Sequence, residues 1–186
     1  MVLRLGQGKG AIEGLTVANP RGFAAPHILS LGAITVRIEP RAIASNPVVI
    51  DDIRITSPLV VYEMNDARVA NVDVLKKHLG ADQPEKPATG GKKGPKEQGK
   101  RLRIRHLTIE NAKAEVRVAA LGDKPRIVAL SRIEMTDIGG KNGALPEEAA
   151  KQIVTAILSE VSKEVGKAGA SKLLENAVER ALKKRK

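Results

Sequence analysis

Leu29, Leu31, Ile34 and Val36 in LSLGAITVRIE, and Val48, Ile50, Ile53 and Ile55 in VVIDDIRIT, share one spacing: apolar-x-apolar-x-x-apolar-x-apolar. A flat strand alternates with period two. Here the alternation slips by one residue, at Gly32-Ala33 and at Asp51-Asp52. A β-bulge sets two residues against one, which returns the rest of the strand to the same face and bends it. The pattern therefore predicts bent strands with one aliphatic face. Leu102, Ile104, Leu107 and Ile109 repeat it in full, as do Val128, Leu130, Ile133 and Met135. Gly10, Ile12, Leu15 and Val17 form a further copy with glycine in the first slot. The first three copies begin 19 residues apart, at Gly10, Leu29 and Val48, which reads as an internal repeat of one strand plus its connection.

Turn signals lie between the copies. Ala18-Asn19-Pro20-Arg21-Gly22 ends the first strand, because proline cannot donate to a ladder. Pro40 to Ser45 reads as a single helical turn with proline at its start. Ser57-Pro58 is a corner leading into the partner strand Leu59 to Glu63. Ile109 to Val118 reads as a hairpin turning at Asn111, after which Ala114, Val116 and Val118 alternate with charged residues.

Asn71 is placed to cap a short helix whose apolar side is Val72, Leu75 and Leu79, with Gly80 stopping it. Ala81 to Lys100 carries three prolines, four glycines and several lysines with nothing apolar larger than alanine, so it is expected to be a flexible linker. Pro146-Glu147-Glu148 opens a long helix, since proline suits the first turn and acids the positive end of the dipole. Ile153, Ile157, Val161 and Val165 make its apolar stripe, joined by Val154 and Leu158. Gly166 and Gly169 predict a kink, beyond which Leu174, Val178 and Leu182 resume the stripe. The expected fold is mainly β or α+β: a strongly curved antiparallel sheet, half-barrel or taco-like, with a short helix and a long C-terminal helix. Residues 1–140 would form the sheet domain, interrupted by the linker 81–100, and residues 141–186 an amphipathic helix.

Chemistry is sparsely signalled. Gly6-Gln7-Gly8-Lys9-Gly10 resembles a phosphate loop only superficially, because no Ser or Thr follows the lysine and a strand, not a helix, comes next. His27, His78 and His106 have no metal-ligand spacing with acids. Asp51 and Asp52 are adjacent in a strand and point apart. No serine sits in an elbow motif. A chain without cysteine has no thiolate site or disulfide. A non-enzymatic role with no metal and no cofactor is expected. Aromatics are 1% of the 186 residues, which disfavours nucleic-acid binding by base stacking. The formal net charge of +11 leaves polyanions as partners, and much of the excess lies in Lys92 to Arg105 and in Lys183-Lys184-Arg185-Lys186. Binding of nucleic acid or an anionic surface through that linker and tail is the alternative function; a structural or oligomerising module is the third. No run is long and apolar enough for a membrane span or a signal peptide, so the chain as written reads as cytoplasmic.

The segment GLTVANPRGFAAPHILSLGAITVRIEPRAIASNPVVIDDIRITSPLVVYEMN resembles the AsmA-like envelope proteins of bacteria with two membranes. The features that carry the likeness are Gly-Leu-Thr-Val-Ala-Asn-Pro-x-Gly-Phe, Leu-x-Leu-Gly-x-Ile-x-Val, and the Val-Val-Ile-Asp-x-Ile-x-Ile strand that runs into proline and a Tyr-Glu strand. RLRIRHLTIENAKAEV and the helix after Gly-Gly-x-x-Gly are similar too. The resemblance implies a curved sheet with a lengthwise apolar groove, lipid handling or outer-membrane assembly, and a periplasmic location anchored at the inner membrane by an upstream segment. Its groove would be lined by Ile34, Val36, Ile53, Ile55, Leu107 and Ile109, with lipid or a membrane surface as partner. The oligomeric state is left open.

Overall fold

Aliphatic residues spaced for strands become strands almost wherever the pattern occurs. The computed structural model describes residues 8–80, 99–118 and 125–167. Within them lie β1 (Lys9–Ala18), β2 (His27–Ile38), β3 (Val48–Thr56), β4 (Leu59–Met64), β5 (Leu102–Glu110), β6 (Lys113–Val118), β7 (Arg126–Ala129) and β8 (Ile133–Ile138). The helices are α1 (Asn71–His78) and α2 (Pro146–Lys167), and Pro40–Ala44 forms the expected helical turn, of 3₁₀ type.

The strands form one curved, unclosed sheet. β1 pairs with β2 along almost its whole length. The other side of β2 is shared: its C-terminal half pairs with β3 and its N-terminal half with β4. β5 and β8 continue outward from β3, while β6 and β7 continue from β4. β3 and β4 are thus two arms of one strand folded at Ser57-Pro58. β5 and β6 are likewise folded at Asn111-Ala112, and β7 and β8 across Leu130–Arg132.

The corners stack into a crease. Backbone N–H groups of Ser57, Lys113 and Leu130 donate across it to the carbonyls of Glu110, Pro58 and Ala112, each at 2.9 Å. Ser57 and Asn111 turn the chain with φ of 55° and 56°. On β2 the crease falls at Gly32. A Cβ there would collide with the backbone carbonyls of Thr56 and Ser57, so only glycine lets the corner lie against the strand.

Several expectations are corrected. The sheet is mixed rather than antiparallel, because β3 pairs with β5 and β4 with β6 in parallel. Ile109 to Val118 is not a hairpin: β5 and β6 do not face each other but run on as one bent strand. A register shift does fall at Asp51, between the pairs Arg37–Asp52 and Ile38–Ile50. None falls at Gly32-Ala33, where Leu15–Leu31 and Ile12–Ile34 keep one register and glycines bend both strands. The copies of the pattern therefore have different causes: a crease in β1, β2 and β7/β8, and a register shift in β3, with which β5 stays in step. The 19-residue spacing is not the structural repeat. The same 54-residue offset separates Val48 from Leu102 and Met64 from Val118, across the corner without a slip.

Cross-strand registers align the aliphatic residues in rows. Ile12, Ile34, Ile55, Ile109 and Ile133 make one row through five strands. Val36, Ile53, Leu107 and Met135 make the next, and Ile38, Ile50, Ile104 and Ile138 a third. Beyond the crease, Val17, Leu29, Val60, Ala114 and Val128 are aligned. Each fully buried side chain of this size stabilises by about 1.5–3 kcal/mol.

Both helices join the core made by these rows. α2 packs against β6, β7, β8 and α1, and α1 against β4. Ile157, Leu158, Val161 and Val165 are buried, as the stripe predicts. Glu148 accepts a hydrogen bond from Leu145 N–H at 2.9 Å, which caps the first turn of α2. Gly166 lies inside α2. Gly169 and the resumed stripe at Leu174, Val178 and Leu182 lie outside the described residues.

Candidate functional site

The apolar side of the bent sheet is a trough, and α2 fills only part of it. Of the six residues expected to line a groove, Ile34, Ile55, Leu107 and Ile109 are buried in the core that also holds α2. They are closed off, contrary to an open groove along its full length. Val36 and Ile53, opposite each other on β2 and β3, stay half-buried. So do Ile12 and Ile38. Leu15 on β1 is 47% exposed. The accessible aliphatic surface is therefore a strip at the β1–β3 end of the trough, away from the strands on which α2 packs. Sequence reasoning missed Ile12 and Leu15 as members of this strip. Their copy of the pattern lacks its first aliphatic residue, and nothing in it marks β1 as the sheet edge.

The opposite face is polar. Arg103 pairs with Asp137 at 2.6 Å, Arg105 with Asp51 at 3.0 Å and Arg54 with Glu110 at 3.6 Å. These are exposed pairs, which order the surface and add little stability. Asp51 is occupied by Arg105, while Asp52 faces Arg37 across the β2–β3 ladder.

Among the described residues, one polar cluster is centred on a buried side chain. Asn71, fully inaccessible, accepts from Glu63 N–H at 2.9 Å and donates to Val61 O at 2.7 Å and Asn19 Oδ1 at 2.9 Å. The Glu63 carboxylate accepts from the N–H groups of Ala24 and Ala25 at 2.6 and 3.0 Å. Together these tie the loop after β1 to β4 and α1. Asn71 therefore does not cap α1. Ala70 holds the cap position without a side-chain bond, and the Asn71 amide is used in the core. Beside this cluster Tyr62 is buried, and burial, then the charge of Asp73, pushes its phenol above the ordinary 10.0.

Among the described residues no three His, Cys, Asp or Glu side chains gather as metal ligands. No described helix is long and apolar enough to cross a membrane, which says nothing about strands. Most of the linker (residues 81–98) and the basic tail, on which the nucleic-acid reading depends, lie outside the described residues. No family model, no curated protein and no solved structure matches this chain.

Proposed function

We propose that the protein is a non-catalytic envelope module that holds acyl chains of lipid against the β1–β3 end of its trough. The observation that carries the reading is the half-open aliphatic strip of Ile12, Val36 and Ile53, continuous with a core row yet not closed by α2. Aliphatic side chains aligned across bent strands give a surface that matches a hydrocarbon chain in shape and polarity. The likeness of the strand segments to AsmA-like proteins supports the same reading and, with it, a periplasmic site of action. Buried Ile34, Ile55, Leu107 and Ile109 act here as the rigid floor behind the strip rather than as contacts for lipid.

Native mass spectrometry of protein purified from envelope-containing cells tests this, with a fluorescent fatty acid as the second probe. Co-purifying lipid and probe binding are expected in the parent chain. Val36→Asp and Ile53→Asp each reduce probe binding at least tenfold, since one buried charge defeats an acyl chain's transfer. Absence of lipid and of probe binding in the folded parent chain would end the proposal.

A further inference from the structure

Across β1, β2 and β3, on the face opposite the trough, the ladders bring three cations together. Lys9 stands directly opposite Arg37, Arg37 opposite Asp52, and Thr35 opposite Arg54. These side chains surround a cleft of about 390 Å³ floored by Gly10, Ala11 and Thr35. The floor is low because Ala11, opposite Thr35 on this face, has almost no side chain. Like charges directly opposite in a sheet repel unless something neutralises them. Among the described residues neither Lys9 nor Arg37 forms an ion pair, and Arg54 reaches Glu110 only at 3.6 Å with its side chain half exposed. Asp52 is the carboxylate among the lining residues, so the lining carries more positive than negative charge.

We infer that this cleft binds a phosphate group between Lys9 and Arg37, with Arg54 adding positive charge at its β3 edge. A guanidinium presents a planar fork that matches phosphate oxygens in pairs, and the lysine ammonium supplies a point charge beside it. The Thr35 hydroxyl on the floor is a neutral donor to the same group. Asp52, next to Arg37 on the side away from Lys9, fixes where the anion sits: on the β1 side of the cleft. The phosphate comes from a soluble phosphate or from a lipid headgroup, and both present the same oxygens. The cleft and the trough lie on opposite faces of β1–β3, so this site stands or falls independently of the acyl-chain reading.

The test uses the full chain at low salt with inorganic phosphate in a calorimetric titration. A second arm measures flotation with phosphatidylcholine vesicles, with and without phosphatidic acid. Arg37→Gln is expected to weaken binding about tenfold and Lys9→Gln about threefold, as befits charge-assisted bonds at an exposed site. Arg132→Gln, an exposed arginine outside the cleft, leaves binding unchanged. Asp52→Asn tightens binding about threefold by removing the opposing charge. Binding of phosphate alone identifies a soluble source, and flotation that needs both phosphatidic acid and Arg37 identifies a headgroup. No binding in either arm, equal loss from Arg37→Gln and Arg132→Gln, or weakening by Asp52→Asn would overturn the assignment.

Discussion

Asn71 shows how a single side chain can be legible by type and misread by role. An asparagine ahead of an amphipathic segment is a natural helix cap. The competing demand was invisible in sequence: the N–H of Glu63 and the carbonyl of Val61 are brought to Asn71 by the fold and need partners. Asn71→Ala leaves these buried groups unpaired and is expected to cost about 3 kcal/mol in urea unfolding, well beyond the loss of a cap. Gly32 is the converse case, a glycine read correctly as the point where the strand bends and wrongly as a bulge. Gly32→Ala forces the Thr56–Ser57 corner outward and is expected to cost about 2 kcal/mol by the same measurement. Tyr62 gives a pH signature. Its phenol is held above 10.0 in the folded chain by burial and by Asp73. Folding favours the neutral form, so this contribution is complete below pH 10 and is lost as pH rises through the higher folded-state value. Absorbance titration of the one tyrosine should give a midpoint above 10.0, returning to the ordinary value in urea.

Strands were readable because period-two aliphatic spacing survives both bulges and corners. Their pairing was not. Whether β5 and β6 form a hairpin or one bent strand depends on which neighbours arrive on either side, and Asn111 serves a tight turn and a corner equally well. The parallel pairing of β3/β4 with β5/β6 depends on a crossover that passes through α1 and the segment after it, which no local pattern encodes. α2 was the easiest element to read, since its stripe is regular and its first turn carries both proline and Glu148. It also contains one flaw: the Thr155 hydroxyl is buried with no hydrogen-bond partner. Thr155→Val keeps the shape and removes the unsatisfied group, so thermal unfolding should show a gain of about 1 kcal/mol.

The described strands form a creased sheet whose aliphatic rows face one side and whose own ion pairs face the other. The rows were legible residue by residue, and so was the idea of a trough. The extent to which α2 closes it was not, because a stripe of fixed width says which helix face is buried and not which strands it covers. The groove residues drawn from the resemblance divide accordingly, Ile34, Ile55, Leu107 and Ile109 into the core and Val36 and Ile53 into the half-open strip. That division carries the functional reading and is open to direct observation. Methyl-resolved NMR of the labelled protein, titrated with a lysolipid spin-labelled on its acyl chain, reports which side chains meet the hydrocarbon. Strong broadening of Ile12, Val36 and Ile53 is expected, with Leu158 and Val161 of α2 unaffected. Broadening that spares Ile12, Val36 and Ile53, or that falls chiefly on α2 and the strands beneath it, would contradict that reading.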